Sequence, residues 1–298
     1  MQHNFFFRVI GVVAVLVATS TVGGGEEQRQ SAPVDDLAQA GQWLETTSRQ
    51  LIRDCRRPMN DGTAAFPPQV GPGYEAFWLR DYAYMLEGCP EAFSEEELRD
   101  ACRLFVKSLR ADGAAVDCVR FDSTPIYKPG YGTMGTNPVA DGSMFLIDVA
   151  WHTHQRLKDR EFLSQISDRL VAAIQATPRN PKTGLVYIDP SGYDRCPYGF
   201  TDSVRKQGDE LFCSLLLIQA DRQMASLLTE LDRNAEAKRF LEDEQRLVTA
   251  VRQVFWDDQT GLFVAATLQC KQPDLWGSAF AVYLNVATKE QAARIAVF

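Results

Sequence analysis

Histidine is scarce in this chain: its 298 residues contain three, and none stands where a metal site would need it. His3 precedes the first apolar run. His152 and His154 lie two apart, so on a helix they do not share a face as an i, i+4 pair of ligands would. The seven cysteines are Cys55, Cys89, Cys102, Cys118, Cys196, Cys213 and Cys270, and no two form a Cys-x-x-Cys pair, which argues against structural zinc. A phosphate-binding loop and a Gly-x-Ser-x-Gly elbow are both missing. No cofactor is therefore expected. Positive charge is in deficit, with 31 Lys and Arg against 39 Asp and Glu and a net charge of −8. Such a surface repels phosphates, so no nucleic-acid partner is expected. Beyond the N-terminus, no run is apolar enough to span a bilayer.

What is present is the balance of a globular protein, 45% hydrophobic and 23% charged. At the N-terminus, Arg8 precedes the apolar run Val9 to Ala18, then small residues to Gly25, then the polar Glu26-Glu27-Gln28. That order predicts a signal peptide over residues 1–25, or an uncleaved N-terminal anchor, and a secreted or periplasmic protein. Residues 26–34 read as a flexible linker and 35–298 as one domain. Export admits disulfides, with at least one of the seven thiols left over. Cys213, inside an apolar run, is expected to be a buried small hydrophobe.

The domain repeats a rhythm of helix pair and long loop. Apolar first helices begin near Asp81, Asp141, Asp209 and Trp276, about 60–70 residues apart. Ser94 with Glu97 makes a capping box. Thr183-Gly184-Leu185 and Thr260-Gly261-Leu262 lie 77 residues apart and read as small β-hairpins. Repeated antiparallel pairs build either a solenoid or a closed ring of hairpins. Long loops favour the ring, where they gather at one end and line a cleft. The predicted fold is all-α, an (α/α) toroid of antiparallel helical hairpins with small β-hairpins at one end. About nine helices can be counted, against twelve in a six-hairpin ring, so the toroid is incomplete.

In this arrangement Asp81, Asp141, Asp209 and Glu210 stand at helix starts on the cleft side. Each carboxylate there is either a cap for free backbone amides or a group facing a ligand. Arg80 stands directly before Asp81, with Trp78 two residues earlier. A sugar has an apolar face, which an indole covers, and a rim of hydroxyls, which an Arg–Asp pair engages. The alternative is an interior ion pair among core aromatics.

Trp78-Leu79-Arg80-Asp81 resembles the W-x-R-D signature of the six-hairpin glycosidases, whose members include glucoamylases and exo-α-1,6-mannosidases. The resemblance extends as rhythm over roughly residues 40–298. It implies an (α/α)6 barrel and a carbohydrate substrate, with Trp78, Arg80, Asp81 and Asp141 binding the sugar. The segment Asn137-Pro138-Val139-Ala140-Asp141-Gly142 resembles the second inner-helix start of that group. Gly199-Phe200-Thr201-Asp202-Ser203, followed by Gly208-Asp209-Glu210, resembles its third. There the resemblance implies a general acid, with Asp202 first and Glu210 second. Such hydrolysis needs two carboxyls flanking the bond, one of them protonated, and the sequence shows no counterpart of the second. Two other readings stand beside hydrolysis: a non-catalytic carbohydrate-binding or scaffold protein on the same toroid, and an α-solenoid for protein partners.

Overall fold

A computed structural model describes residues 37–193 and 204–298. The expected signal segment (1–25), the linker (26–34), Cys196 and Asp202 lie outside the described residues. Nine α-helices form among those described: α1 (Leu37–Asp54), α2 (Leu79–Gly88), α3 (Glu95–Lys107), α4 (Gly142–Leu157), α5 (Arg160–Gln175), α6 (Leu211–Glu230), α7 (Asn234–Phe255), α8 (Leu275–Tyr283) and α9 (Lys289–Ile295). Their starts follow local chemistry. Ser94 accepts from the Glu97 amide while Glu97 accepts from the Ser94 amide, closing the predicted capping box on α3. Lys158, left-handed at φ 51°, ends α4, and Asp159 caps α5 through the Phe162 amide.

The helices form four hairpins, α2/α3, α4/α5, α6/α7 and α8/α9. Burial separates an inner from an outer layer. Helix α6 buries fourteen of its 20 residues, whereas α7 buries only Ala237, Leu247, Val251 and Phe255 of its 22. A helix apolar nearly all round must be covered on every side, and one with a narrow stripe lies on the outside. The inner helices pack in chain order, α2 on α4, α4 on α6 and α6 on α8. The described arc therefore holds four hairpins of a helical toroid. No helix of the described residues is long and apolar enough to cross a membrane.

Short strands gather at the helix starts. β3 (Ala76–Trp78), β4 (Cys118–Arg120) and β5 (Pro125–Ile126) form one antiparallel sheet, with Trp78 opposite Cys118 and Cys118 opposite Ile126. β8 (Trp256–Asp257) and β9 (Leu262–Phe263) make the hairpin expected around Thr260-Gly261, with Gly261 at φ 74°. The other expected hairpin closes differently. Gly184 turns the chain at φ 75° and Val186 bridges Arg179, but β6 (Tyr187–Ile188) runs on to pair with β7 (Gly208–Asp209). β1 (Arg57–Pro58) and β2 (Ala64–Ala65) form a fourth small ladder.

Disulfides, admitted from the expected export, do not form between any two of the six described cysteines. Cys213 is fully buried, as its apolar neighbours require.

Candidate functional site

The site starts at a junction of strand and helix. Trp78 ends β3, and Leu79 opens α2 while its amide donates to the Asp117 carbonyl at 3.1 Å. Asp117 is thereby fixed next to Arg80 although 37 positions separate them. Asp141 arrives from the other side, directly before α4. Gly142 lets it approach: a Cβ there would stand 2.9 Å from a Val139 methyl and 3.1 Å from the Val116 carbonyl.

These three elements converge on one guanidinium. Arg80 Nη1 lies 3.6 Å from Asp117 Oδ1 and 3.6 Å from Asp141 Oδ2. Both distances exceed a direct hydrogen bond. Arg80 makes no hydrogen bond to any described residue, so its five N–H donors are unspent. Burial works against its charge, but Asp141, Asp81 and Asp117 outweigh that and hold the guanidinium firmly protonated. The Asp117 carboxyl is pushed up to about 7, by burial first, while Arg80 pulls it down and Asp141 adds to the rise. Its Oδ2 is buried with no hydrogen-bond partner, and so is Trp78 Nε1.

Asp81 does not pair with Arg80 in the way its adjacency suggested. Neighbours on a helix point about 100° apart, and the close partners of Arg80 are Asp117 and Asp141. Asp81 still acts at a distance: burial raises its carboxyl and Arg80 lowers it. The aromatics nearby divide. Phe77 and Tyr82 are fully buried in the core. Trp78 is half-buried, meets the exposed Tyr74 edge-on at 6.2 Å, and lies against Tyr131 at 6.0 Å. The Arg120 guanidinium covers Tyr131 at 4.6 Å.

The helix starts on the far half of the arc use their acids otherwise. Glu210, wholly buried, accepts from the Cys213 amide at 2.7 Å and so caps α6. Asp274 caps α8 through the Gly277 amide at 2.8 Å. Lys206, also buried, joins them, 3.5 Å from Glu210 and 3.2 Å from Asp274. Asp209 lies in β7 and accepts from Asn180 and Thr183. Asp141, by contrast, makes no cap hydrogen bond with its side chain. Equivalent positions thus serve as caps on α6 and α8 and face Arg80 at α4.

Further along α4 lies a second polar group that sequence reasoning missed. Asp148 accepts from Gln223 at 2.6 Å and from Gln219 at 3.2 Å, with His152 Nε2 3.5 Å away. Burial and Asp148 push Glu87 up to about 8. Asp148 is seven residues beyond Asp141, roughly 10 Å along the helix at 1.5 Å per residue. Tyr84 links the levels, since its raised phenol responds to burial first and also to Arg80, Glu87, Asp141 and Asp148. The signal for this layer was the i, i+4 spacing of Asp148 and His152, and of Gln219 and Gln223. Asp117 carried no such signal, because its place depends on strand pairing.

No family model and no curated protein matches the sequence. Solved structures do match the fold. A GH78 family rhamnosidase of a Bacillus species superposes with a TM-score of 0.64 at 17% identity, over 84% of this chain and 24% of that one. A GH63 mannosylglycerate hydrolase of Thermus thermophilus, in complex with glucose, gives 0.62 at 18%, over 85% and 74%. Neutral trehalase of Saccharomyces cerevisiae gives 0.56 at 11%, over 81% and 57%. This chain spans about a quarter of the rhamnosidase. The α-solenoid expectation is set aside by these matches, since the architectures it resembles are closed rings. The chain has the helical toroid fold of the six-hairpin glycosidases.

Proposed function

We propose that this chain binds the terminal sugar of an oligo- or polysaccharide between Trp78 and the Arg80–Asp141 pair, as part of a glycoside hydrolase. The observation that carries the reading is the unspent guanidinium of Arg80. Its side chain is only 16% exposed, carries full charge and donates to no described residue. A buried charge without hydrogen-bond partners is costly unless something else supplies them. Vicinal hydroxyls fit that requirement, with Trp78 offering a ring face beside them. Support comes from the neighbours, which are glycosidases on the same fold.

For hydrolysis, the proposed general acid is Asp202, which would protonate the leaving glycosidic oxygen. Glu210 is the second candidate. It ranks lower because one of its oxygens already caps α6 and the other faces Lys206. That engagement favours the second reading, a carbohydrate-binding protein without turnover. Secretion by way of residues 1–25 belongs to the same proposal, and sequencing the N-terminus of exported protein tests it.

The function test titrates the full chain with D-glucose, D-mannose and L-rhamnose by calorimetry, then assays a panel of α-linked disaccharides for sugar release. Binding by the unaltered chain and its loss in Arg80→Ala, with helicity preserved, is the expected result. Equal binding by Arg80→Ala would sink the assignment. Binding without release from any disaccharide selects the non-catalytic reading. If release occurs, Asp202→Asn abolishes it while sugar binding survives.

A further inference from the structure

Asp117 belongs to no motif, yet it faces the same nitrogen of Arg80 as Asp141, at the same 3.6 Å. The residue is 3% exposed. Its Oδ2 is an orphaned acceptor, and the indole Nε1 of Trp78 is an orphaned donor. The two residues are neighbours across the sheet, because Trp78 pairs with Cys118 and the next residue, Leu79, donates to the Asp117 carbonyl. Buried polar atoms left without partners are rare and costly. A sugar hydroxyl donates as well as accepts, so one placed against Asp117 would satisfy its orphaned Oδ2.

Resting on the proposed sugar site, we infer that Asp117 is its third carboxyl: it shares Arg80 with Asp141 and accepts a hydrogen bond from one particular hydroxyl of the bound sugar, thereby selecting sugars that carry it. Asp141 sits at a helix start facing the same guanidinium from the other side. The two carboxyls therefore address different positions on the ring. A site built around a specific hydroxyl rejects the analogue lacking it far more strongly than an apolar pocket rejects a missing methylene.

The test takes whichever of D-glucose, D-mannose and L-rhamnose binds the full chain best and titrates its monodeoxy analogues. The unaltered chain is expected to bind one analogue at least about tenfold more weakly than the parent. Asp117→Asn is expected to bind the parent about tenfold more weakly and to lose its discrimination against that one analogue, keeping the others' ranking. Equal losses across the whole series would mean that Asp117 only holds Arg80, and would overturn its selective role while leaving the sugar site intact. Equal binding of every deoxy analogue by the unaltered chain overturns it without any variant, which covers an Asp117→Asn that does not fold. No binding of any of the three sugars by the unaltered chain overturns the sugar-site reading itself, and this inference with it.

Discussion

Between Glu210 and Asp141 the chemistry of a buried carboxylate divides according to its partners. Glu210 sits in a closed contact with an amide and an ammonium, whereas Asp141 faces a guanidinium whose hydrogen bonds are unspent. Glu210→Gln is therefore expected to cost about 2 kcal/mol of stability, because buried Lys206 loses one of the carboxylates that face it. Asp141→Asn also takes a counter-charge from buried Arg80, so it is expected to cost a similar amount of stability and in addition to weaken sugar binding, which Glu210→Gln leaves unchanged. Urea titration measures the shared cost, and calorimetry separates the two. Asp221 carries a different consequence. It is wholly buried, neither of its oxygens has a partner, and burial first, then Asp243 and Glu244, pushes its carboxyl up to about 8. A carboxyl whose folded value lies above its unfolded one holds its proton more tightly when folded. Stability then falls as pH rises from about 4 to about 8 and is level beyond. Asp221→Asn is expected to raise the melting temperature by roughly 5 °C at pH 9 and to leave it nearly unchanged at pH 5. Thermal melts at both values check the sign.

Helix placement rests on a few residues that serve two elements at once. Glu97 closes the α3 capping box and also takes Arg53 at 2.9 Å and Arg56 at 2.7 Å, which ties α1 to α3. Glu97→Ala is expected to cost about 2 kcal/mol, most of it from the cap, since the two arginines are near half exposed. Gly113 holds the loop after α3 against α5. It is left-handed at φ 92°, and a Cβ there would meet the Ala172 carbonyl at 2.5 Å. Gly113→Ala is expected to destabilise by more than about 1 kcal/mol, from strain and displacement together. Hydrogen exchange should show the loss concentrated in α3 and α5.

Helix α8 carries an apolar face that is exposed to solvent. Leu275, Trp276, Ala279 and Val282 line one face of α8 and are exposed, Trp276 at 54%. The corresponding faces of α4 and α6 are packed against their neighbours. An apolar helix face of this kind drives self-association in water. Light scattering is expected to show the chain associating as concentration rises, and Trp276→Lys with Val282→Lys to suppress that without loss of helicity.

Several features were settled along the chain itself. The paired helices, their starts to within a few residues, the capping box at Ser94 and the turns at Gly184 and Gly261 all follow from local periodicity, capping and backbone freedom, and these act between residues a few positions apart. The W-x-R-D string pointed to Trp78, Arg80 and Asp81, and a separate segment, Asn137 to Gly142, pointed to Asp141. What tertiary structure decided was partnership. Arg80 is paired not with Asp81 beside it but with Asp117 and Asp141, 37 and 61 positions on. Whether an acid at a helix start caps that helix or faces a ligand depends on where the neighbouring helix and strand place a cation, as Lys206 and Arg80 show. The layer of Asp148, Gln219 and Gln223 exists only where α4 meets α6. Electrostatic partnership depends on distance in space, and a single sequence carries that information only through contacts that its folding creates.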